Sequence, residues 1–176
     1  KELIVSPPMK YAPVITPLST SKTLRIKIID TLKPNTTYSF NFGNSIVDNN
    51  EENKFDYFKY IFSTGSYIDS LKLSGRVKDA QLIAPEIPTT VMLYEVNETF
   101  TDSIIYSEKP TYITVTKDST GVFELTNLKE GKYLLLALKE KNNDYIFQPQ
   151  NDKIGFEREI ITLPSDSSYT LTIFKE

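Results

Sequence analysis

The chain has no histidine, no cysteine and no tryptophan among its 176 residues. Without His or Cys there is no Ser-His-Asp or Cys-His nucleophile system, no ordinary zinc site and no disulfide. A basic cluster is missing too. The 20 Lys and Arg are scattered among 23 Asp and Glu, for a net charge of -3, so no nucleic-acid partner is expected. No apolar run approaches the length that spans a bilayer. The sequence opens on Lys1 with neither an initiator Met nor a signal segment, and it reads as a mature product or a fragment whose start carries no address.

What is present is β-forming. The hydrophobic fraction is 39%, with 11 Tyr and 10 Phe, enough for one medium domain or two small sandwiches. Short runs of period two recur between turn signals. Thr23 to Ile29 sets Leu24, Ile26 and Ile28 against Arg25 and Lys27, and Thr37 to Phe42 aligns Tyr38, Phe40 and Phe42. Leu3 to Val5 is a short strand ended by Pro7 and Pro8, and Lys10 to Pro17, with Pro13 and Pro17, is at best an edge strand. Phe55 to Ser63 reads as an aromatic strand in preference to a helix over Glu51 to Phe62. Further strands are expected at Ser70 to Val77, Thr90 to Val96, Ile104 to Tyr106, Tyr112 to Thr116, Glu159 to Leu163 and Tyr169 to Phe174, with a polar loop running up to Gly155. Many short strands and no convincing amphipathic helix predict an all-β protein of two β-sandwich domains in tandem, with almost no helix. The boundary falls near Gly65 to Asp69, giving domains 1–66 and 67–176.

The second domain is organised around Gly121 to Glu140. Phe123 and Leu125 alternate with Glu124, a turn follows at Asn127 to Gly131, and Tyr133 to Leu138 is apolar on both parities. The expectation is a central hairpin whose second strand is covered on both sides. Tyr133, Leu135 and Ala137 are expected in the inter-sheet core. Leu134, Leu136 and Leu138 need a second cover, and the first domain is one source of it.

Each half carries a resemblance. Leu32, Pro34, Thr37 and Tyr38, then Ile46 and Asp48, then Phe62-Ser63-Thr64-Gly65 stand in the order and spacing of a bacterial Ig-like domain of the SbsA type. The half chain resembles the C-terminal part of such a domain, which implies that its N-terminal strands are lacking or supplied from outside. Gly121, Phe123, Leu125, Leu128, Gly131 and Tyr133 match the signature of prealbumin-like sandwiches of the carboxypeptidase-regulatory or Cna-B type. Together they are similar to an uncharacterised bacterial envelope lipoprotein. That implies a place in the cell envelope, at the periplasm or outer-membrane surface, with membrane attachment only through an N-terminal lipid anchor outside this chain.

The resemblances bring candidate sites. Related sandwiches carry a calcium loop after the central hairpin, and here Glu140, Asn142, Asp144 and Asp152 supply oxygens at comparable positions. A solvated turn is the plainer alternative, and Lys139, Lys141 and Lys153 add positive charge nearby. Calcium is therefore the one cofactor under consideration. Cna-B-type modules can form a Lys-Asn isopeptide bond. Lys72 or Lys78 would be the amine, but the last strand offers no Asn or Asp partner. Thr31, Ser70, Ser103 and Ser119 each follow an Asp and precede an aliphatic residue or Thr, similar to the acceptor signature of a bacterial envelope O-glycosylation system. Composition alone would give about one such match, although Asp-Ser and Asp-Thr are also common turn dipeptides.

No acid pair is marked as desolvated, so an enzyme is not expected. The leading reading is a non-enzymatic envelope module, structural or adhesion-like, whose partner is a protein or glycan at the cell surface. The alternative is a carbohydrate-binding module, with Tyr57, Tyr67, Tyr106 and Tyr145 as the tyrosines expected to be exposed. Against it stand the absence of Trp and the usual core role of strand tyrosines.

Overall fold

Period-two runs become strands along the whole chain, and among the described residues the one helical element is a 3-10 turn at Asp102–Tyr106. The structure, a computed structural model, describes residues 3–17, 21–48, 51 and 53–175. It is all-β and divides into two units, Lys1–Ile68 and Asp69–Glu176.

In the first unit β1 (Ile4–Ser6), β4 (Thr37–Asn41) and β5 (Lys59–Ser63) form an antiparallel sheet in the order β1-β4-β5, and β2 (Val14–Thr16) pairs with β3 (Arg25–Lys27). Register places Val5 opposite Phe40, Phe40 opposite Tyr60 and Tyr38 opposite Phe62, so these side chains share one face. Val5, Met9, Tyr38, Phe40 and Phe42 are buried there, with Ile26, Ile28 and Phe62 packed against them. The Leu32 to Tyr38 motif is a folding device. The Lys33 N–H donates to the Tyr38 hydroxyl at 3.0 Å, Thr36 Oγ1 donates to Pro34 O at 2.8 Å, and Thr64 Oγ1 donates to Lys33 O at 2.7 Å. Asp48 does similar work one loop later, accepting the Glu51 and Asn53 amides at 2.7 and 3.2 Å. The aromatic run is strand only from Lys59. Tyr57 has φ 56, which breaks the extended geometry expected from Phe55 onward.

The second unit is a sandwich. One sheet runs β11 (Lys153–Phe156), β10 (Gly131–Lys139), β7 (Thr90–Glu95), β8 (Tyr112–Val115), with β12 (Ile161–Leu163) also on β10. The other runs β13 (Ser168–Ile173), β6 (Leu71–Asp79), β9 (Val122–Leu128), and β13 lies parallel to β6. The core between them takes Leu73 and Val77 from β6, Phe123 and Leu125 from β9, and Tyr133, Leu135 and Ala137 from β10, as their alternation requires. Gly75 lies between the β13 backbone and the Phe123 ring, with no room for a side chain. A Cβ there would meet Tyr169 O at 2.2 Å and the Phe123 ring at 2.7 Å.

The expected hairpin is corrected. β9 pairs with β6 and β10 pairs with β7, so the two consecutive strands belong to opposite sheets, where β9 packs near β8 and β10 near β13. The cause is a break in period. Pairing with β6 shifts register between Leu71 and Lys72, Asn127 takes φ 61, and Leu128 turns inward three residues after Leu125. Two other expectations change. Ile104 to Tyr106 is helical because its backbone bonds are local, Ile104 N–H to Thr101 O and Ser107 N–H to Ile104 O. The polar loop closes early, since β11 begins at Lys153 and buries Ile154.

On the outer face of the larger sheet, Leu136 and Leu138 are buried and Leu134 is half-buried. Their cover comes from the same unit. Tyr94, paired with Leu134, donates its hydroxyl to Glu108 O at 3.2 Å and Tyr145 O at 3.4 Å. The Phe147 N–H donates to Ile105 O at 2.9 Å, and the Phe147 ring lies 5.5 Å from that of Tyr106. Segments 97–110 and 140–152 therefore close over this face as a second core layer.

Candidate functional site

The calcium-loop residues lie in segment 140–152, and each carboxylate is turned to the loop's own amides. Asp152, 2% exposed, accepts the Lys141 N–H at 3.2 Å on one oxygen and the Gln148 N–H at 2.8 Å on the other. Glu140 accepts the Tyr145 N–H at 2.8 Å, and Asp144 accepts the Ile146 N–H and the Gln148 side-chain amide, both at 3.0 Å. Asn142 donates to the Gln148 Oε1 at 2.6 Å. Among the described residues no group of three or more acidic side chains converges as a metal cage would require. The oxygens at these alternate positions instead hold a tight loop in which Asn143 and Tyr145 adopt φ 55 and 65. Burial raises the Glu140 carboxyl above its ordinary range despite its backbone hydrogen bonds. Burial beside Glu140 also pushes the Tyr145 phenol up, and Tyr94 likewise through burial, Glu140 and Glu108.

A polar cleft opens where β7 ends. It encloses about 190 Å³ between Glu95 and the segment leading through the 3-10 turn, with Asn97, Thr101, Ser103, Ser107 and Glu108 on its polar walls and Phe100 and Ile104 on its apolar ones. The local sequence builds it. Asn97 Oδ1 accepts the Thr99 N–H and hydroxyl at 3.0 and 2.9 Å, which forms an Asx turn, and the Phe100 N–H donates to Asn97 O. Thr101 and Ser103 share a hydroxyl hydrogen bond of 3.0 Å. The helical turn of Ile104 to Tyr106, where a strand is expected, folds the segment after β7 into this wall.

The remaining candidates are dispersed. Thr31, Ser70, Ser103 and Ser119 are all exposed, and Ser103 lies on the cleft wall. Lys72 and Lys78 are exposed on β6, so neither amine sits in the buried setting that an isopeptide bond uses. Lys153 is held by acids, 2.8 Å from Asp79 and 3.4 Å from Glu86. Burial would raise the Asp79 carboxyl, but the Lys153 hydrogen bond with the Gln81 and Leu82 amides holds it below the ordinary range. An ionised Asp79 favours an ion pair over amide formation. Of the tyrosines expected on the surface, Tyr67 and Tyr106 are exposed, whereas Tyr57 and Tyr145 are half-buried.

Residues 1–64 match a family model described as a bacterial Ig-like domain, which agrees with the aromatic sandwich of the first unit. No curated protein and no solved structure matched the chain. The match suggests a surface or structural module, and sandwiches of this type are typically non-catalytic.

Proposed function

We propose that this protein is a non-enzymatic module of the bacterial cell envelope, structural or adhesion-like, acting through a protein or glycan partner at the surface. The observation that carries it is the Ig-like match over residues 1–64. The turn motifs there, at Tyr38, Thr64 and Asp48, are used in folding, which suits a scaffold. We further propose domains at 1–66 and 67–176. The first would be an Ig-like sandwich completed by strands from outside this chain, and the second a prealbumin-like sandwich of the carboxypeptidase-regulatory type. Attachment would be as a lipoprotein. In the native host, the full-length protein should fractionate with the envelope, take up radiolabelled palmitate and be removed by protease shaving of cells or spheroplasts. Recovery in the cytosol would overturn the proposal.

Glycan binding is the second reading, and the hydroxyl-lined cleft at Glu95 to Glu108 favours it. Exposure of Thr31, Ser70, Ser103 and Ser119 supports their proposal as O-glycan acceptors, which an intact mass of the native protein equal to its sequence mass would exclude. A role for Glu140, Asn142, Asp144 and Asp152 in holding calcium would require their carboxylates to release the loop amides. An unchanged spectrum of the 140–152 amides on adding calcium would rule it out.

A further inference from the structure

We infer that the cleft at the end of β7 is a binding site for a single neutral pyranose unit, an inference that rests on the glycan-binding reading above. Charge restricts the ligand first. The lining holds two carboxylates, Glu95 and Glu108, and no Lys or Arg, so phosphate, sulfate and acidic sugars are repelled. Hydrogen-bond type restricts it next. Carboxylates only accept, and the Asn97 Oδ1 already accepts twice from Thr99, so the ligand must bring donors. Neighbouring hydroxyls of a sugar meet that need, and the Ser107 hydroxyl and the Thr101–Ser103 pair can give or take in return.

Shape and rigidity point the same way. Phe100 and Ile104 also line the cleft, but its accessible lining is mainly polar, so a sugar ring would be held chiefly by hydrogen bonds. At about 190 Å³ the cleft is smaller than the roughly 300–1,000 Å³ of drug-sized sites, so it takes one ring, such as a chain end. The walls are held before any ligand arrives. Tyr94 anchors Glu108 O, and the Phe147 amide anchors Ile105 O, so binding costs little ordering of the protein. A bare cation is disfavoured, because two carboxylates fall short of a metal cage.

The test is a nitrogen-edited NMR titration of the whole chain with methyl glucoside, methyl galactoside, N-acetylglucosamine, n-butylammonium and inorganic phosphate as separate probes. At least one neutral sugar should shift the amides of residues 97–108 with a Kd of order millimolar, and phosphate should not. The double variant Glu95→Gln with Glu108→Gln should weaken that binding by roughly tenfold or more while the β10 amides stay in place. Tyr67→Ala should leave it unchanged. Sugar-induced shifts located elsewhere would sink this site but keep the glycan reading. No response to any sugar would sink both. A response at 97–108 to butylammonium alone would overturn the sugar assignment.

Discussion

The two units are built from similar short strands, yet they bury their apolar residues very differently. In the second, Val77, Leu93, Leu135, Leu163 and Leu171 retain no accessible surface, and Leu136, Leu138 and Phe147 make a further layer on the far side of one sheet. In the first, the buried set among the described residues is Val5, Met9, Tyr38, Phe40 and Phe42, of which only Phe40 falls as low as 1%. Tyr11, Val14, Leu24, Ile29, Phe55 and Tyr60 of the same unit are exposed. A two-stranded ribbon such as β2-β3 is marginal unless something packs on it. The contrast teaches that a strand pattern specifies which face is apolar, whereas burial depends on how many layers the topology can stack on that face.

The largest effect should come from separating the units. Residues 69–176 alone should give a dispersed NMR spectrum and a cooperative melt, whereas residues 1–68 alone should melt with little cooperativity. Equal melting of both pieces would break the contrast. Core truncation sharpens it: Phe123→Ala should cost about 3–5 kcal/mol of the second unit's stability, by denaturant unfolding. Val5→Ala, which removes a smaller and less enclosed side chain, should cost no more than about 1–2 kcal/mol in the first.

Gly75→Ala comes next. Its Cβ would strike the β13 backbone as well as a ring, so a loss of about 1–3 kcal/mol is expected, and a neutral result would mean that β13 can move away. Asp79→Asn should destabilise the second unit by roughly 1–3 kcal/mol at neutral pH, because it weakens the charged bond to Lys153. The Asp79 carboxyl is held low in the fold, so its contribution is full above its ordinary value of 3.8 and is lost as pH falls through the lower folded value. The variant and the parent should converge in acid.

Glu140 gives the smallest effect, with the opposite sign. Burial raises its carboxyl in the fold. The protonated form is therefore favoured by folding, and stability from this group declines as pH rises from 4.5 through the folded value. Glu140→Gln keeps an acceptor for the Tyr145 amide and removes the buried charge. It should leave stability unchanged or raise it by less than about 1 kcal/mol at neutral pH. A clear loss would show that the charge itself holds the loop.

The site was less legible than the fold. Glu140, Asp144 and Asp152 stand at spacings that suit a cation, and sequence cannot say whether such oxygens turn toward an ion or toward backbone amides. The cleft was unreadable, because it needed Ile104 and Ile105, two good strand formers, to turn helical for want of a partner strand. Likewise the tyrosines split into exposed Tyr67 and Tyr106 and half-buried Tyr57 and Tyr145, since Tyr57 and Tyr145 lie at left-handed backbone positions that no pattern announces.

By itself the sequence determined that the chain is all-β, and which parity of β10 faces the inter-sheet core. Both follow from side chains alternating every residue along a strand. Part of the turn chemistry at Leu32 to Tyr38 is local, through the Tyr38 hydroxyl and Pro34 O, whereas the Thr64 hydroxyl reaches it from a distant strand end. Only the tertiary structure decided that β9 and β10 part to opposite sheets, that β13 lies parallel to β6, and that the chain's own loops cover Leu136 and Leu138. Those outcomes depend on hydrogen bonds and packing between residues far apart in the chain, and a period of two is the same whichever neighbour a strand pairs with.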